Sequence, residues 1–340
     1  MTALKIGEEQ ISPDEQHVAE ETLALVKQGL IDTPKGELVR RDAHPMAHGL
    51  VHGTITIADD VPAQFRHGFF AKAASYPVWI RFSNGNKGPD TNPDIRGMAI
   101  KVCGVPGEKI LPLEKNTQDF LLVSHSVMPV GEPKPYYAFF RAVIHKNPLY
   151  AIFGINPIAL ARATKIAVET LFFKVANPLL IRYWSTTPYK MGDGAVKYSA
   201  RPAAAMNAGA AKKPEHPGPA YLREAMVATL AKEDAIFDFL MQAQTNAETM
   251  PIEDCAVDWS ESESPFVKVA TIRIPKQTFT APAQDAFCEN LSFNPWHCVP
   301  DNRPLGGINR VRRYVYERIS AYRHERNGAA LIEPTGDERF

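Results

Sequence analysis

Four apolar runs in the first third of the chain restrict its fold more than any other feature. VHGTITI over 51–57, PVWIRFS over 77–83, GMAIKVC over 97–103 and QDFLLVS over 118–124 are rich in β-branched and aromatic residues. Gly, Pro, Asn and Asp separate them, the usual punctuation of strands. Parallel strands need a long crossover, usually a helix, and no long helical pattern lies between the last three runs. The sequence therefore predicts antiparallel pairing or a barrel in place of βαβ units.

Helices are expected around that barrel, giving an α+β fold. Ser12-Pro13-Asp14-Glu15 has the chemistry of a helix start, and Val18, Leu23, Val26 and Leu30 continue it, predicting a helix over 13–30. Further helices are predicted at 136–144, 158–174, 221–246 and near 282–291, with a strand at VKVATIRI, 267–274. The Ala-, Pro- and Gly-rich stretch 200–220 reads as a surface excursion. With 340 residues and 45% apolar content, a single domain can bury its own core. Residues 1–40 form its helical lead-in and 41–340 its body.

Charge and cysteine usage narrow the partners. Lys plus Arg and Asp plus Glu number 38 each, so there is no global basic field for nucleic acid, and a small molecule is the expected partner. The four cysteines form no CxxC pair and suit reduced thiols in a cytoplasmic protein. The first residues are acidic, without the apolar core of a secretory signal, and no run reaches transmembrane length.

The last helical stretch, RVRRYVYERISAYRHERNG over 310–328, places Arg312, Tyr316 and Arg323 within roughly 40° of one stripe at about 100° per residue. A tyrosine ligates a metal as phenolate, its ordinary pKa is about 10, and nearby positive charge favours ionisation. Arg310 and Tyr314 repeat the four-residue spacing, but seven residues after Tyr314 stands Ala321, not an arginine.

A second constellation lies upstream. His44, His48 and His52 recur every four residues, as zinc ligands on a helix would, but Pro45 and Gly49 interrupt any helix there. Arg41 precedes His44 by three residues. Arg81 and Ser83 in IRFS alternate onto one side of a strand, and Asp94 follows in DIRG.

R-x-x-x-Y with its later arginine, R-x-x-H, RFS and DIRG, in that spatially divided but ordered set, resembles the haem catalases, and the length suits their short, catalase-like branch. The resemblance implies haem b between the barrel and the C-terminal helix. Tyr316 would be the axial iron ligand, Arg312 its support, and Arg41, Arg81 and Arg323 the propionate holders. His44 would be the distal acid–base, oriented by Ser83, with Asp94 and Ala43 lining the channel. The family's distal asparagine falls on Asn116 in KNTQDF, where the preceding asparagine is replaced by Lys115. The family histidine that supports the proximal arginine is lost near Thr187. The expected activity is consumption of hydrogen peroxide or an organic peroxide, with an organic reductant as a second substrate for a peroxidase, in a chain free to form homo-oligomers. Ala43 replaces the family's valine, or the threonine of its allene-oxide-forming relatives, which keeps open conversion of fatty-acid hydroperoxides. A non-catalytic haem sensor or carrier is the reading from another class.

Overall fold

The computed structural model describes residues 4–206, 209 and 212–340. Nine strands are arranged β5-β4-β3-β2-β1-β9-β8-β7-β6, and β5 also pairs with β7. That extra pairing closes a ring of eight, leaving β6 outside on β7. The strands are β1 (Met46–Ile57), β2 (Ser75–Asn84), β3 (Arg96–Cys103), β4 (Thr117–Val123), β5 (Tyr183–Trp184), β6 (Tyr189–Met191), β7 (Gly194–Pro202), β8 (Ala235–Ala243) and β9 (Val267–Ile274). All pairs are antiparallel.

Period-2 alternation fills this barrel. Ile80, Phe82, Met98, Phe120, Phe237 and Phe239 meet in its interior, each buried side chain contributing about 1.5–3 kcal/mol. Phe120 packs edge-on against Phe239 at 5.0 Å between ring centres, a favoured aromatic geometry. The alternate residues of β2, Trp79, Arg81 and Ser83, point outward and are nevertheless buried. Something must therefore cover the outside of this wall, and at Trp79 the rings of Phe287 and Phe340 do so, at 5.5 and 5.9 Å.

The helices are α1 (Glu15–Ile31), α2 (Pro133–Ile144), α3 (Leu149–Gly154), α4 (Pro157–Phe172), α5 (Tyr221–Leu230), α6 (Pro282–Asn290) and α7 (Gly307–Asn327). Val311, Val315 and Ile319, four residues apart, pack against Ala19, Val26 and Leu30 of α1. Carboxylates from far along the chain cap the start of α7. Gly306 N–H donates to Glu9 and Gly307 N–H to Glu253, at 2.9 and 2.8 Å, satisfying amides that lack partners in the first turn. Gly328, at φ 60°, ends it in the left-handed conformation.

Several expectations change. α1 starts at Glu15, and the Ser12 hydroxyl donates to Asp14 instead of capping the helix. The predicted helix over 221–246 stops at Leu230, and Ala235–Ala243 is strand β8. There Ala235, Phe237 and Phe239 are buried with half-buried Ile236 and Asp238 between them, a period of 2 hidden in residues with good helix propensity. β5 and β6, two and three residues long, are too short to leave a sequence signal, and β7 runs into the Ala- and Pro-rich stretch that reads as an excursion. Part of the 200–220 excursion lies outside the described residues; its start belongs to β7.

Candidate functional site

His44 sits just before β1 with φ 57°, an uncommon backbone for a residue with a side chain. Its N–H donates to the Gly85 carbonyl at 3.2 Å, and its Nδ1 lies 3.2 Å from the Ser83 hydroxyl. The ring lies over Gly97, where an added Cβ would stand 2.5 Å from Nδ1 and 2.8 Å from the Ser83 oxygen. Gly97 faces Ser83 across β2 and β3, so strand pairing builds the shelf that holds the imidazole. Gly97→Ala should displace the ring and cost about 1–3 kcal/mol by overpacking, read as a lowered urea midpoint; an unchanged midpoint would mean the ring finds another seat without strain.

Burial, then the charges of Arg81 and Arg312, push His44 down to about 4. The imidazole is therefore neutral at pH 7. Arg312 of α7 lies close enough to act on His44, which links the two halves of the site. His48 is also held neutral, pushed to about 4 chiefly by burial.

Three arginines converge beyond Ser83. Arg323 donates to the Glu289 carboxylate at 2.6 Å and to Val39 O at 3.1 Å. Arg41 approaches the same carboxylate at 3.4 Å and donates to the Cys288 and Leu291 carbonyls. Arg81 Nε and Nη2 are buried without a hydrogen-bond partner, as is Arg41 Nη1. Burial and the like charge of Arg81 push Arg41 down to about 9. Three guanidiniums against one carboxylate leave two positive charges, the complement of a ligand bearing two carboxylates, which arginine binds as a planar fork.

On α7, the Arg312 guanidinium lies 5.2 Å from the centre of the Tyr316 ring. Burial alone would lower Arg312; the phenols of Tyr316 and Tyr189 outweigh it and hold the cation above its ordinary value. Asn309 accepts from Arg312 at 3.0 Å and Thr187 at 3.5 Å, so Thr187 does lie at the arginine. The competing register is occupied otherwise. Arg310 binds Glu9, Glu15 and Glu253 at 2.5–2.9 Å and pins α7 to the amino-terminal segment. Arg318 stacks on Tyr314 at 3.6 Å.

Tyr136 of α2 completes this side. Burial and the neighbouring Tyr316 raise its phenol, with Arg312 opposing, and its ring stacks on Phe140 at 6.0 Å. No residue of α2 is fully buried, although its apolar face turns inward. Glu289, Gly97 and Tyr136 carried no motif that would single them out, apart from Gly97's place in DIRG.

Other expected site residues stand elsewhere or in other roles. Asn116 is exposed, its N–H donating to Glu333. On β4 it is Val123 that pairs with Gly97 beside His44, while Thr117 pairs with Cys103 at the far end; six residues of strand put Asn116 roughly 20 Å away. It is therefore not a distal amide here. Asp94 is buried but spent within its own loop, accepting from the Asn86 N–H and side chain and from Ile95 N–H at 2.8–2.9 Å. Ala43 is exposed. The zinc alternative separates as well: His48 reaches Asp90 at 3.4 Å and His52 the Gly336 carbonyl at 2.9 Å.

Among the described residues, one group could hold a metal ion, Glu114, Asp119 and His297. The Lys101 ammonium already lies at its centre, bound to Glu114, to both Asp119 oxygens at 2.8 and 2.9 Å, and 3.4 Å from His297 Nδ1. This is a buried ion cluster with a resident cation.

No protein-family model matches the sequence, and no curated protein matches it. Solved structures do. A fungal catalase superposes with TM-score 0.62 at 18% identity, over 95% of this chain and 65% of that one. A bacterial catalase gives 0.61 at 17%, over 96% and 65%. Catalase A from Saccharomyces cerevisiae gives 0.63 at 18%, over 99% and 72%. This chain spans about two thirds of the length of the first two. Closed antiparallel barrel, outer helices and chain order together make this a protein of the catalase fold.

Proposed function

We propose that this protein is a haem-dependent oxidoreductase that consumes peroxides. The observation that carries the proposal is the surplus of two positive charges, with orphaned guanidinium nitrogens, beside a neutral imidazole and an arginine-backed phenol. Arg41, Arg81 and Arg323 would bind the propionates of haem b, and Tyr316 would supply the protein's ligand to its iron. When bound, haem iron supplies the Lewis-acid and redox chemistry.

The chain's own contribution is proton handling. With Nδ1 held at Ser83, His44 presents Nε2 as the free nitrogen. Neutral at pH 7, it can take a proton from one peroxide oxygen and return it to the other, a role worth typically 10² to 10⁴-fold. Its folded pKa lies below the ordinary 6.5, so the neutral base is present above about pH 4 and lost as pH falls through that value. Turnover limited by His44 should stay level from pH 5 to 8, and a loss centred near 6.5 would contradict the assignment.

Exposed Ala43 and the half-buried aromatic face of α2 favour, as a second reading, a bulkier organic or fatty-acid hydroperoxide. Initial rates with hydrogen peroxide, with and without a reducing co-substrate, compared with a linoleate hydroperoxide, separate the two. His44→Ala should lose at least 100-fold on the preferred substrate. Full turnover with intact haem absorption would leave a haem carrier as the better reading.

A further inference from the structure

On the outer side of α2, α4 shows an unusual distribution of apolar side chains. Its fully buried residues are Ala163 and Ile166. At 100° per residue, Ile158, Ala161, Val168 and Phe172 share an arc of about 80° on the opposite side, interrupted only by the long Lys165 side chain. Ile158 and Phe172 are 68% and 76% exposed, and Phe153 of the adjoining α3 is 85% exposed. Leu149, Ile152, Leu171 and Phe173 are exposed as well. A surface helix ordinarily turns charged and polar residues outward, and an apolar face this large marks an interaction site.

The charges around it identify the partner. Between 143 and 174 the chain carries Lys146, Arg162, Lys165 and Lys174 against Glu169 alone, while the whole chain is neutral. All four cations are exposed; Arg162 is paired with Asp254 at 3.0 Å and Lys165 with Glu169 at 3.7 Å, while Lys146 and Lys174 have no ion partner among the described residues. We propose that α3 and α4 dock this protein on an anionic lipid bilayer, with Phe153 and Phe172 entering the boundary between headgroups and acyl chains and the lysines engaging lipid phosphates. A second copy of the chain would bring like charges together in a two-fold contact. No described helix is long and apolar enough to cross a membrane, so the attachment lies along the surface.

Co-sedimentation of the full chain with vesicles tests this. Vesicles of phosphatidylcholine with phosphatidylglycerol should carry the protein down, phosphatidylcholine alone much less, and added salt should release it. The Phe153→Ser/Phe172→Ser double variant should bind at least tenfold more weakly with an unchanged circular dichroism spectrum. Lys165→Glu/Lys174→Glu should weaken binding at least fivefold. No binding to the anionic vesicles, or undiminished binding by the phenylalanine variant, overturns the proposal. So does a dimer in sedimentation equilibrium that the same double variant dissolves, which would assign the face to a second copy.

Discussion

Tyr316→Phe protein, expressed with haem supply and purified beside the wild type, should retain less than a tenth of the wild-type haem and lose or grossly shift its Soret band. The substitution removes one oxygen from a partly buried side chain and leaves the packing of Val311, Val315 and Ile319 on α1 untouched, so circular dichroism should not change. Tyr314→Phe is the matched control. It stands two residues away on the same helix with its own arginine, Arg318, stacked on the ring, and it should keep the wild-type spectrum. If the effects are reversed, the axial ligand is misassigned; if neither variant changes the spectrum, no tyrosine of α7 holds the iron. Arg312 gives the physical reason for choosing Tyr316, since it lies against that ring and is itself held by Asn309, whereas Arg310 is spent on three carboxylates.

Lys101→Met should destabilise the fold by about 3–5 kcal/mol, the usual cost of removing one member of a buried ion cluster, read as a fall in the urea midpoint. Lys101 is 0% exposed and Asp119 0%, with Glu114 at 5%. Without the ammonium, two buried carboxylates would remain with His297, the Thr117 hydroxyl and the Asn294 N–H as their only neighbours among the described donors. Burial opposes the Lys101 charge, and Asp119 and Glu114 more than restore it, raising the group above its ordinary value. Its stabilising effect is thus complete at neutral pH and lost only as pH rises through that raised value. Neutralising the partners as well, in Lys101→Met/Glu114→Gln/Asp119→Asn, should recover most of the loss. A single Lys101→Met variant as stable as the wild type would show that water reaches the cluster.

Much of this arrangement can be read along the chain wherever a local rule operates. The first four strands appear because their alternation is clean and their turns are punctuated. α7 appears because its tyrosine and arginines recur at helical spacing and Gly328 stops it. Arg81 and Ser83 share a face because a strand alternates, and that face proves to be the outer wall of the barrel. Where two local signals compete, the reading slips. Residues 235–243 have helix-forming composition and strand periodicity, and packing inside a closed barrel decides for the strand. Lys101 and Asp119 offered a signal that could have been used: each interrupts an otherwise apolar strand run, and charges buried in neighbouring strands must pair.

The sequence by itself determined the antiparallel sheet and the α7 stripe and singled out Arg41, His44, Arg81 and Ser83, because these depend on side-chain chemistry at fixed short spacings. Only the tertiary structure decided which of those groups meet. Strand register carried Asn116 to the far end of β4 and brought Gly97 under His44. The packing of α6 against the barrel placed Glu289 between Arg41 and Arg323, which fixes the net charge of the site. Such distances join residues tens to hundreds of positions apart, and they follow from how the sheet closes and the helices cover it, a consequence of global packing that no local pattern encodes.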